Sequence, residues 1–168
     1  PTSLWGPWFD VPYKNFFIAI ARNLYVHPGN VRTPKQWGFV GNSVFQIHRL
    51  IEATKEKVHK KTFYLADYQP VELRDFANKV QAAVGAKPIR TIPVRVLETA
   101  ARLGDIANKI GWSNPPLTSF RYHNLITMET QDLDPLEQVT GPLPYSINQG
   151  IDMTVQWLRK HDQRIDAN

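Results

Sequence analysis

Apolar residues return every three or four positions in several stretches of the chain, and each such stretch predicts a helix with one buried face. Pro12 opens the first, which carries Phe16, Phe17, Ile20 and Leu24 and stops at the turn signal Pro28-Gly29-Asn30. Asn42 is placed as N-cap of a second helix whose apolar face is Val44, Ile47, Leu50 and Ile51. Pro70 suits the first turn of a third, with Leu73, Phe76, Ala77, Val80 and Val84 on its face and Gly85 placed to end it. Pro93 leads into a fourth, where Leu97, Ala100, Gly104, Ala107 and Ile110 include enough small residues to predict close packing against a neighbour. Two more begin at Asp134-Pro135-Leu136-Glu137 and Ser146-Ile147-Asn148-Gln149, each a capping residue with Glu or Gln three places on. The last of these buries Ile147, Ile151, Val155 and Leu158.

Between the helical stretches lie short strand candidates. They are Thr2 to Trp5, which ends at Gly6-Pro7, Trp37 to Val40, Thr62 to Ala66, and Ile89 to Ile92. Short strands alternating with longer helices predict an α/β fold, helix-rich, with too few and too weak strands for a complete doubly wound sheet. The expectation is one part of a larger architecture, entered in the middle of a strand. Such a strand would have lost its neighbours, so Leu4, Phe16 and Phe17 are expected on an exposed apolar face through which the chain self-associates or meets a missing half.

Composition narrows the picture. At 168 residues, 42% apolar and 11% aromatic, the chain fills one core and is expected to be a single compact unit over residues 1–168. Its longest apolar run, Phe16 to Ala21, is far short of the ~20 residues that cross a bilayer, and no signal-peptide pattern is present, so a cytoplasmic setting without membrane is expected. With no cysteine, thiolate catalysis and cysteine-bound zinc are excluded. The formal charge of +5 favours anionic partners. The densest basic stretch, Lys55, Lys57, Lys60 and Lys61, has no interleaved aromatic on which a base could stack, which argues against nucleic acid and for a solvated connection. The five histidines show no metal-binding spacing, and His48 reads as a partly exposed helix residue. Asp132 and Asp134 imitate a carboxylate pair, the second being better explained as the cap before Pro135.

Four segments carry a resemblance. Pro1-Thr2-Ser3-Leu4-Trp5-Gly6-Pro7, Trp37-Gly38-Phe39-Val40-Gly41-Asn42 before a helix, Thr62 to Ala66 before the Pro70 helix, and Gly141-Pro142-Leu143-Pro144-Tyr145 through Gly150-Ile151 to Trp157-Leu158 occur in an order and spacing similar to the extended short-chain dehydrogenase/reductases of the epimerase/dehydratase kind. The resemblance spans the chain. It implies the C-terminal, substrate-binding part of a Rossmann-like enzyme, with residues 1–11 the end of the Rossmann-type sheet.

The same resemblance implies a function and a set of site residues. The intact enzyme would use NAD or NADP on a nucleotide sugar. Pro1 and Ser3 would stand beside the nicotinamide, with Ser3 also reaching substrate, while Trp8 and Asn15 border the sugar site alongside Trp5 and Tyr13. Lys35 and Arg121 would take the places of two arginines that hold the substrate's diphosphate. A related reading within the family is a reductase or dehydrogenase of an apolar carbonyl substrate, which has no use for charges at Lys35 and Arg121. A third reading is a non-enzymatic interaction module. The nine glycines form no G-x-x-G-x-x-G or G-x-G-x-x-G turn, and no tyrosine has a lysine four positions later. The dinucleotide-binding half and the acid/base pair are therefore expected to be absent, and the chain alone is expected neither to bind NAD nor to turn over substrate.

Overall fold

Trp5 is the residue around which the other elements assemble. The computed structural model describes residues 3–113 and 115–166. In it the short strand β1 (Leu4–Trp5) pairs in parallel with a strand over Gly38–Phe39. That register sets the Trp5 ring 5.1 Å from Phe39, and Phe76 meets it edge-on at 5.0 Å. Aromatic contacts of this kind contribute beyond the area they bury.

Helix α1 (Tyr13–Ala21) follows β1 and buries Phe17, Ile18, Ile20 and Ala21. Phe17 is 1% exposed and Phe16 packs half-buried on the same cluster, so the exposed face expected from Leu4, Phe16 and Phe17 does not form. Leu24 lies beyond the helix end and is exposed. Three further short strands follow: β2 (His27–Pro28), β3 (Pro34–Lys35) and β4 (Gly38–Phe39), the partner of β1.

Helix α2 (Val40–Glu52) departs most from the sequence pattern. Its buried residues are Asn42, Ser43 and Gln46, while Val44, Ile47 and Ile51 face outward. Asn42 is not the N-cap; Phe39 holds that position, and Asn42 sits inside the first turn. The inward face is polar because it meets backbone: Gln46 donates to Ala66 O at 2.8 Å, and Asn42 donates to Tyr145 O at 3.0 Å. The expected strand Thr62 to Ala66 makes no ladder; this segment runs past β4, and Asp67 N donates to Trp37 O at 3.1 Å. The lysine-rich stretch before it contains the single-turn helix α3 (Lys55–Val58) and is exposed.

Pro70 precedes β5 (Val71–Glu72), which pairs antiparallel with β3, so the next helix starts three residues later than expected. That helix, α4 (Leu73–Val84), buries the five predicted apolar residues and ends at Gly85 with φ 73°. Only glycine adopts that left-handed conformation without strain. Strand β6 (Thr91–Ile92) pairs in parallel with β2 and leads through Pro93 into α5 (Val94–Lys109). Here Leu97, Ala101 and Gly104 are buried, and Ala100 is exposed. They pack on α6 (Ser119–Ile126), a helix the periodicity did not reveal because Tyr122 is its one buried residue.

Helix α7 (Asp134–Thr140) has Leu133, not Asp134, as its N-cap, and Asp132 rather than Asp134 supplies a carboxylate, accepting from Asp134 N at 3.1 Å. Pro135 fixes the first turn and leaves Asp134 inside it. Helix α8 (Ile147–His161) begins with the full Ser146/Gln149 capping box. It presses on the core through Gly150, where a Cβ would come 2.8 Å from the Trp5 ring and 2.9 Å from Phe39.

Candidate functional site

The chain reverses between β1 and α1, which brings the Tyr13 hydroxyl near the Ser3 hydroxyl. Burial raises the Tyr13 hydroxyl above its ordinary pKa; the nearby Ser3 hydroxyl opposes that rise and the Glu129 carboxylate adds to it. Tyr13 is thus a neutral O–H at physiological pH, able to donate. Its ring meets Trp37 edge-on at 5.7 Å. Phe16 continues the surface, 6.2 Å from Trp37 and 5.0 Å from Tyr25. All four rings are half-buried, so they form an aromatic wall with the Ser3/Tyr13 hydroxyl pair at one end.

Lys35 lies on β3, two residues before Trp37, and is 4% exposed. Its ammonium donates to Asn124 O, 2.9 Å away on α6. Burial holds its pKa below the usual lysine value, and Glu129 partly offsets this. Glu129 is placed by backbone: its N–H donates to Pro34 O at 3.1 Å, and its own carbonyl accepts from Gln36 N at 2.8 Å. Gln36 in turn accepts from Gln131 N. Nothing in the sequence around Glu129 marks it, because its position comes from a pairing across 93 intervening residues.

Arg121 is exposed on α6 and donates through Nη1 to Pro115 O at 2.6 Å and Pro116 O at 3.2 Å. Trp8, 82% exposed, lies on the end of α8, its ring 5.8 Å from both Trp157 and His161. Asn15 is exposed on α1. Pro1 lies outside the described residues. Of the candidates read from sequence, Ser3 and Lys35 share the Tyr13/Glu129 neighbourhood, while Trp8 is turned to α8 and Arg121 to its own preceding loop.

The described residues do not fit the pyrophosphate of a dinucleotide. Such a group needs a glycine turn that runs from a strand directly into an open helix N-terminus. Strand β4 does run into α2, yet a Cβ at Gly41 would come 2.7 Å from Phe39 and 3.0 Å from the Tyr145 ring, so aromatic side chains fill that turn. Among the described residues no three or more His, Asp or Glu side chains gather to hold a metal ion.

No family model matches the chain. A 2-alkyl-3-oxoalkanoate reductase from Stenotrophomonas maltophilia (strain K279a) is 30% identical over 98 residues, covering 54% of this chain and 29% of the reductase. Among solved structures, the UDP-glucuronic acid 4-epimerase from Bacillus cereus in complex with NAD superimposes with a TM-score of 0.63 at 7% identity, over 96% of this chain and 42% of the epimerase. The UDP-glucose 4-epimerase from Thermotoga maritima, with UDP-glucose, gives 0.60 at 17% identity, over 94% of this chain and 44% of that enzyme. The chain therefore spans less than half the length of each.

Proposed function

From a chain that has the fold of the C-terminal part of the extended short-chain dehydrogenase/reductases, we propose that it forms the substrate-side wall of an NAD(P)-dependent reductase or dehydrogenase of an apolar carbonyl compound. A dinucleotide-binding half would complete the site. The observation that carries this reading is Lys35: its charge is withdrawn from solvent and spent on a backbone carbonyl. A diphosphate requires cations presented to it, and pulling Lys35 off Asn124 O would forfeit a hydrogen bond from a charged donor, worth about 1.5–3 kcal/mol.

The wall itself is aromatic, with one polar end. Tyr13, Phe16 and Trp37 would cover the apolar body of a substrate, and the Ser3/Tyr13 hydroxyls would hold its oxygen. When bound, the nicotinamide supplies or receives the hydride. The residues of this chain orient the carbonyl and exclude water. The Stenotrophomonas relative is a reductase of 2-alkyl-3-oxoalkanoates, whose ketone lies between an alkyl chain and an alkyl-bearing carbon that carries a carboxylate, and this supports a largely apolar carbonyl substrate.

A second reading, a nucleotide-sugar epimerase or dehydratase, is favoured by the two UDP-sugar 4-epimerases among the structural neighbours. It needs Arg121 and Lys35 to reach phosphate. Arg121→Gln and Lys35→Met in the whole enzyme separate the two. On our reading kcat/KM for a long-chain 3-oxo acid stays within about threefold for Arg121→Gln, whereas lost phosphate contacts would raise KM for a UDP-sugar by roughly tenfold or more.

A further inference from the structure

Helix α5 divides into three faces. At 100° per residue, Leu97, Ala101 and Gly104 fall on one side, which is buried where α5 meets α6 and the loop before it. A second side carries every charged residue of the helix, and a third carries Val96, Ala100, Leu103, Ala107 and Ile110 in one continuous row. This third face is largely open to solvent: Val96 is 55% exposed, Leu103 62% and Ile110 81%. Trp112, just past the helix end, is also exposed.

The charges are sorted as well. Arg95, Arg102 and Lys109, seven residues apart and exposed, border the open apolar row. The acids lie further round, toward the packed side, where Asp105 accepts from Ser119 N at 3.0 Å and Glu98 pairs with Arg102 at 2.6 Å. A helix that met another helix would be expected to mix both signs along its seam, whereas the residues bordering this open row are bases, and a second copy laid on the row would bring the same bases to it.

We propose that α5 is an interfacial helix that lies flat on an anionic lipid surface, its apolar row among the acyl chains and its basic row among the headgroups. Sixteen residues give about 24 Å of helix, too short to span the ~30 Å hydrocarbon layer. None of the described helices is long and apolar enough to cross a membrane. The chain's formal charge of +5 acts in the same direction. This inference stands independently of the proposed substrate.

Flotation of the purified full chain with vesicles of phosphatidylcholine containing 30% phosphatidylserine, and with phosphatidylcholine alone, tests it. The chain should float with the anionic vesicles and only weakly with the neutral ones. Leu103→Glu with Ile110→Glu, both at exposed positions, should lower binding roughly tenfold or more without changing Tm. Arg95→Gln, Arg102→Gln and Lys109→Gln together should lower it up to about a hundredfold, near fivefold for each base. In the unsubstituted chain, hydrogen exchange should slow over residues 94–112 when anionic vesicles are added. No flotation, flotation indifferent to the stripe substitutions, protection confined to other segments, or a dimer in sedimentation that Leu103→Glu with Ile110→Glu dissolves would each overturn the proposal.

Discussion

Asn42 donates its side-chain amide to the Asp67 carboxylate at 2.9 Å, and the same amide group ties both to a third segment. Its nitrogen also donates to Tyr145 O at 3.0 Å, and its oxygen accepts from Tyr145 N at 3.1 Å. Asp67 further accepts from Phe39 N at 3.3 Å. Helix α2, the end of β4, the 62–68 segment and the lead into α8 thus meet at one amide. Asn42→Ala leaves Asp67 and the Tyr145 backbone short of partners in a buried place, and the expected loss is about 2–4 kcal/mol, read from urea unfolding. Asn42→Asp should cost more, since it sets a second carboxylate against the first.

The same carboxylate gives a pH signature. Burial pushes Asp67 up to about 6, against the opposing hydrogen bonds from Asn42 and Phe39. A carboxyl whose folded pKa lies above its unfolded value takes up its proton first in the folded state. Stability should therefore rise as pH falls from about 6 toward 4, by on the order of 2 kcal/mol from this group. Asp67→Asn keeps an acceptor for both donors and should flatten that slope. Unfolding midpoints measured between pH 4 and 7 check both statements.

Gly104 packs α5 against the loop before α6 so closely that a Cβ would lie within bonding range of the Leu117 carbonyl. Gly104→Ala cannot be accommodated by rotating a side chain, because the obstacle is backbone. It should destabilise the α5–α6 unit by roughly 3 kcal/mol or more and expose Tyr122, visible as faster exchange over 119–126 before the rest of the chain opens.

Ile47, expected from periodicity to be core, is 45% exposed on α2. Ile47→Lys should shift the stability of this chain by less than about 0.5 kcal/mol, as exposed substitutions do. If a dinucleotide-binding half completes the site as proposed, the same change in the joined protein should weaken the fit of any element that covers the row of Val44, Ile47 and Ile51. Thermal melts of the two forms make the comparison.

These cases show where the sequence was readable. Phe76, Val80 and Val84, the Ser146/Gln149 box and Gly85 were legible because a helix's buried stripe, its cap and its stop are local events. The alternation of elements was enough for the fold class. Helix α2 misled because periodicity reports only that one face is apolar, not which face turns inward; Gln46 and Asn42 turn inward because backbone groups of other segments need them. Ser3, Tyr13 and Lys35 follow from the resemblance, whereas Glu129 comes beside Lys35 only through a backbone pairing remote in sequence. Lys35 in particular could not be told from a presented cation until its partner, Asn124 O, was seen.

The substrate class is the central claim, and turnover of paired substrates by the whole enzyme tests it most directly. With NADH and NADPH supplied in turn, a long-chain 2-alkyl-3-oxo acid and UDP-glucose would be compared under one set of conditions, and Tyr13→Phe run beside the unsubstituted enzyme. Our account predicts nicotinamide oxidation with the oxo acid, kcat/KM exceeding any UDP-sugar conversion by roughly a hundredfold or more, and a loss of about tenfold in Tyr13→Phe. Efficient epimerisation or dehydration of the UDP-sugar, with the oxo acid ignored and Tyr13→Phe unchanged, would contradict it.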